Sequence, residues 1–142
     1  MALGEKLWEG KGKSSGPGFI KTINMEGVKS VYTWSAQVKG IGHAKGVDGN
    51  IFVTASGTMP PKGVASEKDQ GTFMTMNGDM CVLKGFGLMK MTMSSKPSAV
   101  SLWHFMTASE ELAWLNDLIA VVTLEATDPM WMDFNITIHE WK

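Results

Sequence analysis

The chain is predicted to be all-β and closed into an antiparallel barrel of about eight strands, on three observations. Stretches of alternation recur along it, the cleanest setting Tyr32, Trp34, Ala36, Val38 and Gly40 against Thr33, Ser35, Gln37 and Lys39. Glycine-bearing turn signals, above all Asp48-Gly49 and Asn77-Gly78, separate such stretches at hairpin spacing. Helical patterning is confined to one short segment. Closure is preferred to an open sheet because it leaves no unpaired edge, and a two-sheet sandwich is the alternative.

A repeated motif bears on how the sheet curves. Val38 to Lys45 and Leu83 to Lys90 both read apolar, Lys, Gly, apolar, Gly, two further residues, Lys. Alternation puts Gly40 and Gly42 on one face with Val38, and Gly85 and Gly87 on one face with Leu83. Two glycines on one face leave a hole, which suits a sharp bend, closure of the sheet, or the approach of another group to the backbone.

In chain order, residues 3 to 9 form a short first strand and Gly10 to Gly18 a loop by composition, without the Gly-x4-Gly-Lys-Ser/Thr order of a phosphate loop. Phe19 to Met25 alternates weakly before a turn at Glu26-Gly27, and Val28 to Ala44 is a long strand. Ile51 to Met59 pairs with it through the Val47 to Asn50 turn and is ended by Pro60-Pro61. Lys62 to Gln70 is a polar connection. Gly71 to Met76 and Met80 to Met93 make a second hairpin, and Ser94 to Ser98 is another connection. Val100 to Thr107 is a strand with Trp103 and Phe105 on one side and Leu102, His104 and Met106 on the other. Ser109 to Asn116 is the helical segment, with Ser109 as cap and Glu110 and Glu111 suited to the first turn. Leu118 to Thr127 and Met130 to Trp141 are the last strands, the latter with Met132, Phe134, Ile136 and Ile138 facing inward.

Composition narrows the function classes. The 142 residues, 44% hydrophobic and 19% charged, suit one folded domain spanning residues 1 to 142. Net charge is −1 and all 13 basic residues are lysine, with no basic run, so nucleic acid is not an expected partner. The one cysteine, Cys81, cannot form an internal disulfide, and the first residues lack a signal-peptide pattern; a cytoplasmic protein is expected. Leu118 to Val122 is the longest aliphatic run and is too short to insert in a membrane as a helix.

With its Gly-x-Gly strands, its glycine-punctuated hairpins and the Thr107 to Leu115 turn late in the chain, the sequence resembles the small calycin-like barrels of the allene oxide cyclase and dirigent type. The likeness covers the chain from Val28 onward. It implies a barrel and, since such barrels often associate, a homo-oligomer; it carries over no catalytic residue, and Trp114 stands where a glycine is usual.

Twelve methionines and six tryptophans are the unusual signal, and as a group they suggest a compliant cavity for a small apolar molecule. Its expected lining is Tyr32, Trp34, Met89, Met91, Trp103, His104 and Phe105. His43 and His139 read as solvent-facing. His104 is the candidate for proton transfer if its strand turns it inward, and Glu125, on the face of Ile119 and Val121, is the carboxylate to watch. Glu67, Asp69, Asp48, Asp79 and Asp128 read as solvated turn residues. Cys81 reads as a buried, inert thiol, no ligand spacing points to a metal, and no cofactor is expected. Ile41 and Phe86, outward if the glycines face inward, are the expected subunit contact. Three functions fit: a binding module for a hydrophobic or aromatic ligand, an isomerase or cyclase acting on an apolar substrate, and a filled-core interaction protein.

Overall fold

In the computed structural model, which describes residues 3–15, 18–90 and 96–142, nine strands follow in order. They are β1 (Leu3–Ser14), β2 (Phe19–Asn24), β3 (Gly27–Gly40), β4 (Gly49–Met59), β5 (Ala65–Thr75), β6 (Met80–Lys90), β7 (Ser98–Met106), β8 (Ile119–Ala126) and β9 (Phe134–Trp141). From β3 to β9 each strand pairs antiparallel with the next, and β1 closes the ring by pairing with both β9 and β3. Eight strands form the barrel, and the ninth, β2, lines the first half of β3. The predicted closed antiparallel barrel is therefore the architecture observed.

Several boundaries differ from the sequence expectation, each for a physical reason. β1 runs on to Ser14 through the expected loop, because Gly10 and Gly12 let the strand lie against Gln37 and Ser35 of β3, where a Cβ would strike a carbonyl. β3 ends at Gly40, and the second glycine of the motif, Gly42, opens a 3-10 turn over Gly42–Ala44 at φ +55. Asp48-Gly49 is not a two-residue hairpin: Gly49 already pairs with Val38, and the Asp48 side chain accepts from the Gly40 amide at 2.9 Å. At Asn77-Gly78, by contrast, the expected tight hairpin joins Met74 to Met80, with Gly78 at φ +90. The helical segment is a 3-10 turn over Ala113–Asp117; Ser109 does not cap it but donates to Asp79. Met130 and Met132 precede β9 in a loop and are exposed, so Met132 does not face inward.

One end of the barrel is filled. Trp8 lies there with Phe73, Phe105 and Leu115, stacks on Trp114 at 5.8 Å and donates from Nε1 to the Val47 carbonyl at 2.7 Å. The two 3-10 turns close this end with Ala44, Leu112, Leu115 and Leu118, all buried. The methionine-rich interior expected from composition is corrected in part: Met76, Met80, Met106 and Met132 are exposed, and tryptophan, phenylalanine and aliphatic side chains fill the core. On the outside, Phe86 is exposed beside Leu88, Val100 and Leu102 of β6 and β7, while Ile41 is half-buried next to the Gly42 turn. No helix among the described residues is long and apolar enough to cross a membrane.

Candidate functional site

The opposite end of the barrel holds a cavity of about 330 Å³. Its wall is mainly aromatic and apolar, from Tyr32 and Trp34 of β3, Met89 of β6, Leu124 of β8, Phe134 of β9, and Met130 and Trp131 of the loop before β9, with Ser14, Ser30, Thr58 and Ser66 also in the lining. Trp34 meets Phe134 edge to face at 5.3 Å, and Trp131 meets Phe134 at 5.9 Å, so three aromatic rings form one continuous surface. Beneath it Trp34 stacks on Trp103 at 5.8 Å, which seals the cavity from the filled half.

Trp131 is held over the cavity by an unusual loop. The Asp128 carboxylate accepts from the amides of Met130, Met132 and Asp133 at 2.9 to 3.1 Å, and these bonds hold it below the usual carboxylate range. Trp131 itself sits at φ +57, a left-handed conformation that bulky residues rarely adopt.

The polar part of the site comes from β5, which runs from Ala65 and not from Gly71. Its inward residues are Ala65, Glu67, Asp69, Gly71, Phe73 and Thr75, so two carboxyl groups read as solvated in the sequence lie inside the barrel, each only 5% exposed. The Tyr32 hydroxyl donates to Glu67 Oε2 at 2.5 Å, and Ser101 Oγ donates to Glu67 Oε1 at 3.4 Å. Trp103 Nε1 donates to Asp69 Oδ2 at 2.9 Å, and Asp69 Oδ1 is buried with no hydrogen-bond partner among the described residues. Burial, then the charge of Asp69, push the Glu67 carboxyl up to about 7, against the pull of the Tyr32 and Ser101 hydrogen bonds. Asp69 is raised by burial, opposed by Trp103 and Ser101. The Tyr32 phenol is raised above its ordinary value by burial, then by Glu67 and Asp69.

The repeated glycines explain how these groups meet. Glu67 pairs with Gly87, which pairs with Ser101, while Asp69 pairs with Gly85, which pairs with Trp103. A Cβ on Gly87 would lie 2.2 Å from Ser101 Oγ, and one on Gly85 would lie 2.6 Å from Trp103 Cδ1. The bare backbone of β6 is thus the gap across which β7 donors reach β5 carboxylates. Gly57 of β4, paired with Glu67, does the same for Tyr32, whose hydroxyl would lie 3.1 Å from a Cβ there.

The sequence-predicted site residues separate into groups. Tyr32, Trp34 and Met89 line the cavity. Trp103 and Phe105 are buried below it. His104 is exposed on the outer face of β7, between Lys84 and Ile119, because the alternation that buries Trp103 and Phe105 turns it outward. Glu125 is likewise exposed, since Leu124 and Ala126 are the buried residues there; neither reaches the cavity. Met91 lies outside the described residues. Cys81 is buried, its thiol pushed up to about 12 by burial. His43 is exposed against Trp114, and His139 is half-buried. No group of three metal-ligating side chains is found among the described residues.

With this geometry the chain can be set beside known structures. A protein of unknown function from Clostridium acetobutylicum is similar over 100% of both chains, at TM-score 0.81 and 12% identity. The likeness is one of fold. A β-barrel-like protein from Acinetobacter baumannii matches 99% of this chain and 96% of its own, at TM-score 0.80 and 16% identity. An enzyme from Penicillium herquei matches 96% and 92%, at TM-score 0.65 and 17% identity. No protein-family model matches the sequence, and no curated protein does.

Proposed function

We propose that this barrel binds a small hydrophobic or aromatic molecule in the cavity at its open end. The observation that carries the reading is the union of a mainly apolar, largely aromatic wall with a buried carboxyl, that of Glu67, held by Tyr32. Apolar walls supply affinity in such pockets and a few placed polar atoms fix orientation. A volume of about 330 Å³ suits a small ligand, at the low end of the range for binding pockets. Native mass spectrometry of protein purified from its own host tests the proposal: a reproducible extra mass, lost on denaturation, is the expected result. Identical native and denatured masses, with no uptake of 2-phenylethanol, count against it.

A second reading, an isomerase or cyclase of the kind found among allene oxide cyclase and dirigent barrels, is favoured by one specific observation. A carboxyl pushed up to about 7 at a cavity wall is suited both to take and to return a proton near neutral pH. In this reading Glu67 holds the role that the sequence suggested for His104 or Glu125. The fold neighbour from Penicillium herquei is an enzyme, which is compatible with such a use of the fold. Turnover would be abolished in Glu67→Gln with ligand uptake retained.

A further inference from the structure

Among the described residues no cation faces the two interior carboxyl groups. All thirteen lysines are exposed, the sequence has no arginine, His43 and His104 are exposed, and His139 lies on the face of β9 opposite the buried Phe134, Ile136 and Ile138. The two ion pairs among the described residues, Lys6 with Glu9 and Lys142 with Glu140, are both outside the barrel. What faces Glu67 and Asp69 is a set of neutral donors, Tyr32 from β3, Ser101 and Trp103 from β7. Such donors reach both Glu67 oxygens and Asp69 Oδ2, leave Asp69 Oδ1 without a partner among the described residues, and leave the buried charge uncompensated; a buried charge is costly unless it is paired.

We infer that the occupant of the cavity is a small hydrophobic amine, its ammonium group against Glu67 and its apolar body against Trp34, Trp131 and Phe134. This rests on the ligand-binding reading above and names the ligand class. Three features converge on it. The ammonium supplies the one component the interior lacks, a positive charge beside a carboxylate that already has its neutral donors. The wall is built from aromatic rings, whose faces attract a cation electrostatically, and tryptophan does so best. An acidic ligand of the same size is disfavoured, since Glu67 and Asp69 would repel its carboxylate in a site with no cation to offset them. A neutral alcohol would gain the wall and a hydrogen bond but not the charge.

The test compares three probes on one ring: 2-phenylethylamine, 2-phenylethanol and 3-phenylpropanoate, each titrated into the full-length protein by calorimetry at a pH of about 8, where the Glu67 carboxylate prevails. The amine is expected to bind about tenfold or more tightly than the alcohol, and the acid weakest. In Glu67→Gln the amine should fall to the alcohol's affinity while the alcohol changes by less than about threefold. Trp131→Leu, which leaves the interior carboxyls untouched, should weaken the amine more than the alcohol. Equal binding of amine and alcohol, or tighter binding of the acid, overturns the inference and leaves the ligand-binding reading standing. Failure of all three probes to bind overturns both.

Discussion

The Tyr32 hydroxyl donates to Glu67 Oε2 at 2.5 Å across an intervening strand, from β3 over β4 to β5. The bond is possible because Gly57 of β4 presents no side chain beneath the phenol ring. A Cβ added at Gly57 would stand 3.1 Å from both Tyr32 Cε1 and the hydroxyl oxygen, so the ring must shift by a few tenths of an ångström.

Gly57→Ala should therefore loosen the Tyr32–Glu67 bond without unfolding the barrel, at a cost of about 1 kcal/mol. Tyr32 is the one tyrosine in the sequence, so near-ultraviolet tyrosinate absorbance reports on it alone. In the native protein that absorbance should develop well above the ordinary tyrosine range, as burial and then Glu67 raise the phenol. In Glu67→Gln it should develop at lower pH, because a charge that opposes the phenolate is gone. A normal tyrosine titration in the intact protein would remove the interior network.

Stability should fall as pH rises from about 4.3 to about 7. The sign follows from the raised folded-state value: the buried neutral carboxyl carries no penalty while the unfolded chain is also protonated, and above about 4.3 the unfolded chain ionises while Glu67 resists. The loss, of order 4 kcal/mol at ~1.4 kcal/mol per pKa unit, is complete above about 7. Urea midpoints across this window check it. Glu67→Gln should make the curve shallower, Asp69 keeping a loss of the same sign, and be the more stable form at the alkaline end; a Glu67→Gln curve parallel to that of the native protein would contradict the assignment.

Gly85→Ala and Gly87→Ala should each cost several kcal/mol, roughly 2 to 4. A Cβ at either place meets immovable backbone: the Leu102 carbonyl at 2.0 Å from Gly85, the Val100 carbonyl at 2.5 Å from Gly87. Gly46 and Gly63, with open space around them, have no such conflict but lie at φ +88 and +97. Alanine there should cost only the roughly 1 kcal/mol of a left-handed backbone. Denaturant midpoints of the four variants separate the two mechanisms.

Trp131 carries backbone strain at φ +57 that glycine would not. Trp131→Gly should accordingly be more stable than Trp131→Ala by about 1 kcal/mol, although both lose the ring that meets Phe134. Equal stabilities by thermal unfolding would mean that the loop relaxes when the ring is removed.

The barrel was legible in the sequence because residues 32–40 alternate apolar with polar side chains and Asn77-Gly78 marks a tight hairpin. β5 was hidden by the same rule. Its outward residues Ser66, Lys68 and Gln70 are polar and so are its inward Glu67 and Asp69, so no hydrophobic period exists over its first half. The misplacement of the two carboxyls as turn residues follows directly. A signal was nevertheless present: a strand bearing Gly85 and Gly87 on its inward face leaves a hole that something must occupy, and the occupants are side chains from β7. The apolar neighbours of His104 and Glu125 suggest an inward face for each, but Leu102, Met106 and Ile119 belong to the outer face. No periodicity reveals Trp131, whose position rests on the Asp128 turn.

A ligand site at the open end of the barrel is tested by following backbone amide resonances during titration with 2-phenylethanol, in the native protein and in Met89→Trp. The predicted result is a saturable shift centred on Tyr32, Gly57, Ala65 and Phe134, none at Ala44 and Leu115 of the filled end, and loss of the response when the larger side chain at position 89 occupies the cavity. Saturable shifts that ignore the cavity residues, or a response undiminished in Met89→Trp, would contradict it.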